Sequence, residues 1–339
     1  MKMRHSVRRT FRLCLMMVFT IFLVAACSGN LPHNTASRRI PSSASLSASS
    51  TKSDCRIVKH AMGETCVPTN PQRVVTLDVV TLEDALALGI KPIGAVTSSV
   101  DWPHLQNKLE GVENIGVVGE PNLEKVLALK PDLILGIDYQ QNIYNQSSQI
   151  APTVMAKFEN SGDWKEILAL VGEALGKTET AERFMADYYA RLEKFKTQMG
   201  DRLNQTEVSV VYLYPEMITL YTKAGFIGTV LEDAGLPRPP SQNLNADATS
   251  QKDSLSEIQY RISRELFRYA DGDVMFLIVN DGDPDRQKVF KKLKADPLWS
   301  QLNVIQQGKA YEVPDYWIGP GPIAANLVID DLFKYLVEQ

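Results

Sequence analysis

TETAERFMADYYARLEKFKTQMGDRL, residues 178–203, is the stretch that decides the architecture of this chain. Apolar side chains recur along it every three or four residues, which is the spacing of one helical face. A second face carries Glu179, Arg183, Asp187 and Arg191 with alternating charge, a pattern that suits solvent. At about 1.5 Å per residue, the helix would be roughly 35–40 Å long, about the width of a small domain. We therefore predict a rigid helical spine between two lobes.

Both sides of the spine show short apolar strands in alternation with amphipathic helices. RVVTLD at 73–78 and DLILGI at 132–137 are predicted strands before the spine, and DVMFLIV at 273–279 is one after it. ISRELFRYA at 262–270 is a predicted helix. This alternation predicts parallel sheets covered by helices on both faces. The fold class is therefore α/β, with two Rossmann-like lobes, mostly parallel sheets, one long connecting helix and a ligand cleft between the lobes. The N-terminal lobe spans 54–177, and the C-terminal lobe spans 204–339.

An internal similarity links the two halves. Glu124 lies eight residues before Asp132, and Glu265 lies eight residues before Asp273. Each aspartate opens an apolar strand, and each glutamate falls in the first turn of a predicted helix, after Asn122 or Ser263 as the cap. A repeat of this kind favours a pseudo-twofold, bilobal protein over one large domain that contains a long helix.

The first residues have the features of an export signal. Five basic residues precede an apolar run that ends in Leu23-Val24-Ala25-Ala26-Cys27. This ending resembles the lipobox of bacterial lipoproteins, in which the cysteine becomes the lipidated first residue; an ordinary signal cut elsewhere is the alternative. Residues 1–26 are thus a predicted signal peptide, and the Ser-rich residues 27–53 a flexible tether. We expect an exported protein, lipid-anchored at Cys27 to the outer face of the cell membrane.

The charge of the exported chain excludes one class of partner. Without residues 1–26, it has 31 basic and 40 acidic residues, a net charge of −9. A surface this negative argues against nucleic acid as a partner.

The remaining cysteines are Cys55 and Cys66, which flank RIVKHAMGET. If this segment is a hairpin with its turn near 60–62, the two sulfurs lie opposite each other, and an exported protein would favour a disulfide. Two free thiols or a metal pair are the alternatives. The four histidines are scattered along the chain, so we expect no metal site built by the protein.

Several segments in order resemble one known family. HAMGETCVPTNPQRVVTLD, TLEDALALGIKPIGAV, NLEKVLALKPDLIL, IAPTV and YWIGPGPIAANLVIDDLFKYL are similar to the iron-siderophore substrate-binding proteins of ABC importers, over residues 55–339. In this family, one rigid helix joins two lobes. The resemblance implies a monomeric, non-enzymatic receptor without a cofactor. It would bind a ferric siderophore and deliver it to an ABC permease dimer. Binding of haem or vitamin B12 is the alternative within the same transporter class.

Recognition of a ferric siderophore needs aromatic faces and hydrogen-bond donors, since the siderophore already fills the coordination shell of iron. In open α/β lobes, such groups lie at the carboxyl ends of strands. The expected ligand-binding residues are Trp102, Tyr139, Tyr212, Tyr214, Arg238, Tyr316 and Trp317. Tyr212 stands where many family members carry an arginine. This departure argues against a tricatecholate ligand and leaves hydroxamate and mixed citrate types open.

The resemblance also gives the paired glutamates a role. It implies that Glu124 and Glu265 dock onto basic residues of the two permease subunits, whereas the alternative is that they only complement the helix dipole. Two other protein classes fit less well. A nucleotide-binding enzyme would need a glycine-rich phosphate loop or a catalytic triad, and the sequence has neither. A purely structural envelope lipoprotein would not need an open aromatic cleft.

Overall fold

The computed structural model describes residues 55–97, 102–214, 217–244, 257–279, 284–319 and 321–338. The predicted signal peptide, the tether and Cys27 lie outside the described residues. None of the helices in these ranges is both long and apolar enough to cross a membrane.

The described chain begins with a β-hairpin of β1 (Cys55–His60) and β2 (Gly63–Pro68). Cys55 and Cys66 are joined by a disulfide, with their Cα atoms 5.5 Å apart. The strand register pairs Cys66 with Ile57, so the two cysteines face each other diagonally rather than directly. Arg56 donates a hydrogen bond of 3.0 Å to the carbonyl of Ala174 and thereby attaches the hairpin to the rest of the lobe.

The N-terminal lobe contains a five-stranded parallel sheet in the order β5-β4-β3-β8-β9. Its strands are β3 (Val74–Thr76), β4 (Gly94–Ala95), β5 (Glu113–Asn114), β8 (Leu133–Ile137) and β9 (Thr153–Ala156). A small separate hairpin consists of β6 (Gly116–Val117) and β7 (Glu120–Pro121). The helices are α1 (Val79–Ala87), α2 (Pro103–Gln106), α3 (Leu123–Leu129), α4 (Tyr144–Ile150) and α5 (Trp164–Leu175). Hydrophobic clusters cover both faces of the sheet, as the continuous apolar strands predict.

The spine is α6 (Thr178–Met199), 22 residues or about 33 Å long. Ala181 packs into the hydrophobic core of the N-terminal lobe, whereas Tyr188, Leu192 and Phe195 pack into that of the C-terminal lobe. The helix contributes to both cores and therefore links them rigidly. Its α-helical part ends earlier than expected because Gly200 adopts a positive φ of 55°, and residues 200–205 form a 3₁₀ segment.

The C-terminal lobe contains a five-stranded sheet in the order β12-β11-β10-β13-β14. Its strands are β10 (Val208–Tyr214), β11 (Met217–Tyr221), β12 (Gln259–Ile262), β13 (Val274–Ile278) and β14 (Ala310–Val313). Strands β10, β13 and β14 are parallel, and β11 is antiparallel to both neighbours. The helices are α7 (Phe226–Asp233), α8 (Pro284–Lys294), α9 (Asn303–Gln306) and α10 (Pro322–Leu336). The helix predicted at 262–270 is instead the end of β12 followed by a 3₁₀ helix, Arg264–Ala270.

The internal repeat has a structural counterpart. Asp132, just before β8, accepts hydrogen bonds of 2.7 and 2.8 Å from the backbone N–H groups of Gln72 and Arg73. Asp273, just before β13, accepts one of 2.8 Å from the backbone N–H of Glu207. Each aspartate thus holds the chain that enters the neighbouring strand, β3 or β10. The predicted fold class, two α/β lobes joined by one long helix, is confirmed.

Candidate ligand site at the carboxyl edges of the two sheets

Tyr139 is the most open aromatic side chain at the carboxyl edge of the N-terminal sheet. It comes two residues after the end of β8, and 69% of its surface is exposed. Its ring contacts Phe158, which follows β9, at a centroid distance of 5.5 Å. The carboxylate of Asp138 accepts a hydrogen bond of 3.2 Å from the backbone N–H of Phe158 and holds the two loops together. The pair offers an accessible aromatic face to a ligand.

Trp102 and Tyr316 come from different lobes, and His104 connects them. The imidazole lies 5.8 Å from each of the two aromatic rings, in edge-to-face geometry. Trp102 is partly buried, and its indole N–H has no hydrogen-bond partner among the described residues. The structure thus brings two of the predicted site residues into one aromatic series across the lobe boundary.

Tyr316 and Trp317 share one acceptor but differ in accessibility. Both donate to Asp331 Oδ2, from the hydroxyl at 2.7 Å and from the indole Nε1 at 2.8 Å. Burial and the carboxylate of Asp331 raise the pKa of Tyr316, so its hydroxyl stays protonated. Trp317 is fully buried and stacks on Phe276 at 4.1 Å. The expectation of direct ligand contact is therefore corrected for Trp317, which positions the Tyr316 loop from the core.

Tyr212 and Tyr214 lie at the end of β10. Tyr212 is buried in the C-terminal core, with its ring 6.4 Å from that of Tyr221, and is therefore also removed from direct contact. Tyr214 is the last residue of β10 and pairs with Met217 of β11. Its backbone is at the carboxyl edge, and its side chain lies outside the described atoms.

Arg238 lies at the opposite edge of the C-terminal sheet. Its guanidinium donates hydrogen bonds to the carbonyl of Val208, at the start of β10, and to that of Tyr221, at 2.7 and 2.9 Å, and also to the side chain of Gln242. The residue is 5% exposed, and burial lowers its pKa to about 9. Arg238 therefore stabilises the entry to β10, and the expected ligand contact is corrected here as well.

Sequence reasoning missed Glu83 and His104. Glu83 is fully buried in α1, and its Oε2 lies 3.7 Å from His104 Nε2. A buried carboxylate therefore lies beside the imidazole of the aromatic series at the lobe boundary. The sequence contains a signal for Glu83. Its helical segment, TLEDALALG, is mostly apolar, and a helix with an exposed face would carry more polar residues, so a glutamate in it is expected to be buried.

The predicted docking glutamates are both exposed at the carboxyl edges of their sheets. Glu124 is in the first turn of α3, where the Asn122 side chain accepts from the backbone N–H of Lys125 at 3.0 Å. Glu265 is in the first turn of the 3₁₀ helix after β12. Its own backbone N–H and the hydroxyl of Ser263 hold the pKa of Glu265 below its ordinary value, so it is ionised at neutral pH. Ser263 occupies the cap position but donates to the glutamate instead of capping the helix.

The described ranges contain no group of three or more His, Cys, Asp or Glu side chains arranged to hold a metal ion.

The chain matches known proteins over most of its length. Residues 74–316 match the family model described as periplasmic binding protein. A probable siderophore-binding lipoprotein of Bacillus subtilis, YfiY, is 37% identical over 88% of this chain and 92% of that protein. The achromobactin-binding periplasmic protein of Dickeya dadantii is 28% identical over 78% of this chain and 86% of that protein. The crystal structure of Staphylococcus aureus SirA complexed with staphyloferrin B has 27% sequence identity and a TM-score of 0.71, covering 83% of this chain and 98% of SirA. The chain belongs to the periplasmic binding protein family.

Proposed function

We propose that this protein is an extracytoplasmic receptor that binds a ferric siderophore and delivers it to an ABC-type permease for iron uptake. The observation that carries the proposal is the exposed ring of Tyr139 at the carboxyl edge of its sheet, in a chain whose relatives are named for siderophore binding. An open aromatic face at the carboxyl edge of an α/β sheet suits an amphipathic ligand.

The chemistry of the site suits a chelate whose iron is already fully coordinated. Tyr139 supplies an exposed aromatic face, and Trp102 supplies a partly buried one. Tyr316 closes the aromatic series from the other lobe. In this proposal, the ligand lies against these rings between the lobes, and its own oxygens hold the iron. Haem and corrinoid are the alternative ligands.

Titration of the purified protein with a panel of ligands tests the proposal. The panel is ferric staphyloferrin B, ferric achromobactin, ferric bacillibactin, ferric citrate, a ferric hydroxamate, haem and cobalamin, with intrinsic fluorescence as the readout. We expect saturable binding of at least one ferric siderophore. Saturable binding of haem or cobalamin alone would contradict the proposal.

Matched tyrosine variants then test the site. Tyr139→Ala should weaken binding by about 1–3 kcal/mol, the usual loss for one aromatic anchor. Tyr189→Ala is the control because that ring is also exposed but lies on the spine helix. Equal affinities for the two variants would move the site away from Tyr139.

Lipidation of Cys27 is the second part of the proposal. It is supported by the sequence that ends at Cys27 and by a relative that is named a lipoprotein. Metabolic labelling with a palmitate analogue should label the wild-type protein and not Cys27→Ala. Equal labelling of the two would contradict the anchor.

Docking onto the permease through Glu124 and Glu265 is the third part. Both carboxylates are exposed at the carboxyl edge of a sheet, one in each lobe, which suits a partner with two equivalent subunits. The Glu124→Arg, Glu265→Arg double variant should keep its ligand affinity and lose uptake. Asp187→Arg with Asp201→Arg is the control, because these exposed acids lie on the spine and just after it. Normal uptake by the glutamate variant would place docking elsewhere.

A further inference from the structure

Exposed apolar side chains cluster beside the two glutamates. Among the described residues, eight large hydrophobic side chains are exposed, and five of them lie near Glu124 or Glu265. We define the N-patch as Val117, Val118 and Leu127, and the C-patch as Tyr269 and Leu298. Single exposed apolar residues are ordinary on protein surfaces, whereas clusters mark interaction sites.

The N-patch is held next to Glu124 by specific contacts. Leu127, 59% exposed, is one turn after Glu124 on α3. Val117 and Val118 lie at the tip of the β6–β7 hairpin. Lys125 joins α3 to β5, the strand just before this hairpin, because its ammonium donates a hydrogen bond of 2.8 Å to the carbonyl of Asn114 and lies 3.7 Å from the carboxylate of Glu113.

The C-patch repeats this arrangement with different residues. Tyr269 comes four residues after Glu265, at the other end of the same short helix. Arg264 forms an ion pair with Asp296, in which an Nη of Arg264 lies 3.0 Å from Oδ1 of Asp296. The same Asp296 carboxylate accepts a hydrogen bond from the backbone N–H of Leu298 at 2.8 Å. In both lobes, a basic neighbour of the glutamate is therefore paired with an acidic residue that precedes the second half of the patch in the sequence, Glu113 or Asp296.

We propose that the two patches are the apolar part of the permease-docking surface, and that each fits a basic side chain surrounded by apolar groups on one permease subunit. The inference rests on the proposed function and adds to it the residues that exclude water around the glutamates. Apolar contacts around a charge pair shield it from solvent and carry much of the binding energy of an interface.

The charge around the patches favours the permease over other partners that could cover them. Lys125 and Arg264 are paired with acidic residues, whereas the guanidinium of Arg268 lies over the Tyr269 ring, 5.1 Å from its centroid. Glu124 therefore leaves the N-patch with negative charge, and the C-patch carries charges of both signs. An anionic lipid surface would repel the N-patch. A second copy of this chain would bring glutamates against glutamates in an isologous contact. A basic protein surface fits both the carboxylates and the apolar side chains.

The test separates docking from ligand binding. The test variant carries Val118→Ser, Leu127→Ser, Tyr269→Ser and Leu298→Ser, and the control carries Ile57→Ser and Tyr189→Ser, which are exposed apolar residues outside both patches. Each gene replaces the native one in its host, and uptake of ⁵⁵Fe-labelled siderophore is measured beside the ligand affinity of the purified proteins.

We expect the test variant to bind ferric siderophore like the wild type while its uptake falls at least tenfold, with the control at wild-type uptake. Wild-type uptake by the test variant, or an equal fall in the control, overturns the inference. Failure of the wild-type protein to bind any ferric siderophore instead overturns the proposed function. Two further measurements test the choice of partner. The wild-type protein is tested for pelleting with phosphatidylglycerol vesicles and for dimerisation in sedimentation velocity. If either occurs and the test variant abolishes it, the permease is the wrong partner for the patches.

Discussion

The buried carboxylate of Glu83 accepts a hydrogen bond of 2.7 Å from the backbone N–H of Ala324, in the other lobe. Ala324 is in the first turn of α10, whose cap position is Gly321, a residue without a capping side chain. A Cβ on Gly321 would lie 3.1 Å from Glu83 Cδ, so the glycine lets the two lobes approach closely. The N-terminal lobe therefore caps the last helix of the C-terminal lobe.

This contact predicts different effects for two substitutions of Glu83. Glu83→Ala should lower the free energy of unfolding by about 1–3 kcal/mol, because the N–H of Ala324 stays buried without an acceptor. Glu83→Gln keeps an acceptor oxygen of the same length and should cost less than about 1 kcal/mol. Urea unfolding measures both, with the exposed Glu182→Ala as control. An alanine variant as stable as the control would contradict the role of this cap.

Asp78 predicts a dependence of stability on pH. It is the buried cap of α1 and accepts a hydrogen bond of 2.9 Å from the backbone N–H of Thr81. Burial raises its pKa to about 6 despite this bond, so the folded state favours the protonated acid. Protonated Asp78 therefore stabilises the folded state by on the order of 2–3 kcal/mol. This stabilisation is fully present below the ordinary pKa near 4 and is lost as the pH rises through 6. Burial and the carboxylates of Glu83 and Asp78 also raise the pKa of Asp84, which adds to the same fall.

The Asp78→Asn variant tests this dependence. Its amide oxygen can still cap α1 but does not ionise. The free energy of unfolding should therefore fall less between pH 4 and 7 than in the wild type, and the variant should be the more stable protein at pH 8. Parallel curves for the two proteins would show that Asp78 does not titrate in this range.

The Cys55–Cys66 disulfide should stabilise the hairpin at the start of the N-terminal lobe. Closing a loop of this size contributes on the order of 2–3 kcal/mol by restricting the unfolded chain. Cys55→Ser with Cys66→Ser should lose about this amount in urea unfolding, and the wild type treated with reductant should match the variant. Mass mapping of the exported protein supplies the second check, and free thiols at both positions would contradict the assignment.

Periodicity and strand boundaries were sufficient to predict the fold. The apolar face of the spine and the strands that open at Asp132 and Asp273 are long, regular patterns, and they lie where expected. Strand β12 was missed because it has only four residues, and its sequence, QYRI, continues into what looks like an amphipathic helix. Short strands take their conformation from their neighbours rather than from their own pattern.

The positions of the candidate site residues could be predicted only to the level of strand ends. Trp102, Tyr139 and Tyr316 lie where expected, whereas the adjacent Trp317 points into the core. Residues next to each other in a short 3₁₀ segment face different directions, and sequence alone does not give the rotation of such a segment. Arg238 was expected at the carboxyl end of the sheet, but the loop after α7 returns to the start of β10, where the Arg238 guanidinium donates to the carbonyl of Val208.

The continuous spine predicts that the lobes move little when ligand binds. A single helix that packs into both cores lacks the flexible crossover segments that allow wide hinge closure. The radius of gyration from small-angle X-ray scattering should change by less than about 1 Å between the free and the ligand-saturated protein. A larger compaction would contradict the rigid link between the lobes.

Native mass spectrometry of the protein mixed with the culture supernatant of its own iron-starved host is the most direct test of ferric-siderophore binding. Iron is added to the supernatant before mixing, and the complex is isolated by gel filtration. We expect a one-to-one complex whose ligand mass and isotope pattern correspond to one iron atom in an organic chelate, and whose abundance falls in Tyr139→Ala. A protein that stays free in the saturating mixture, or that selects haem or a corrinoid instead, would contradict the account.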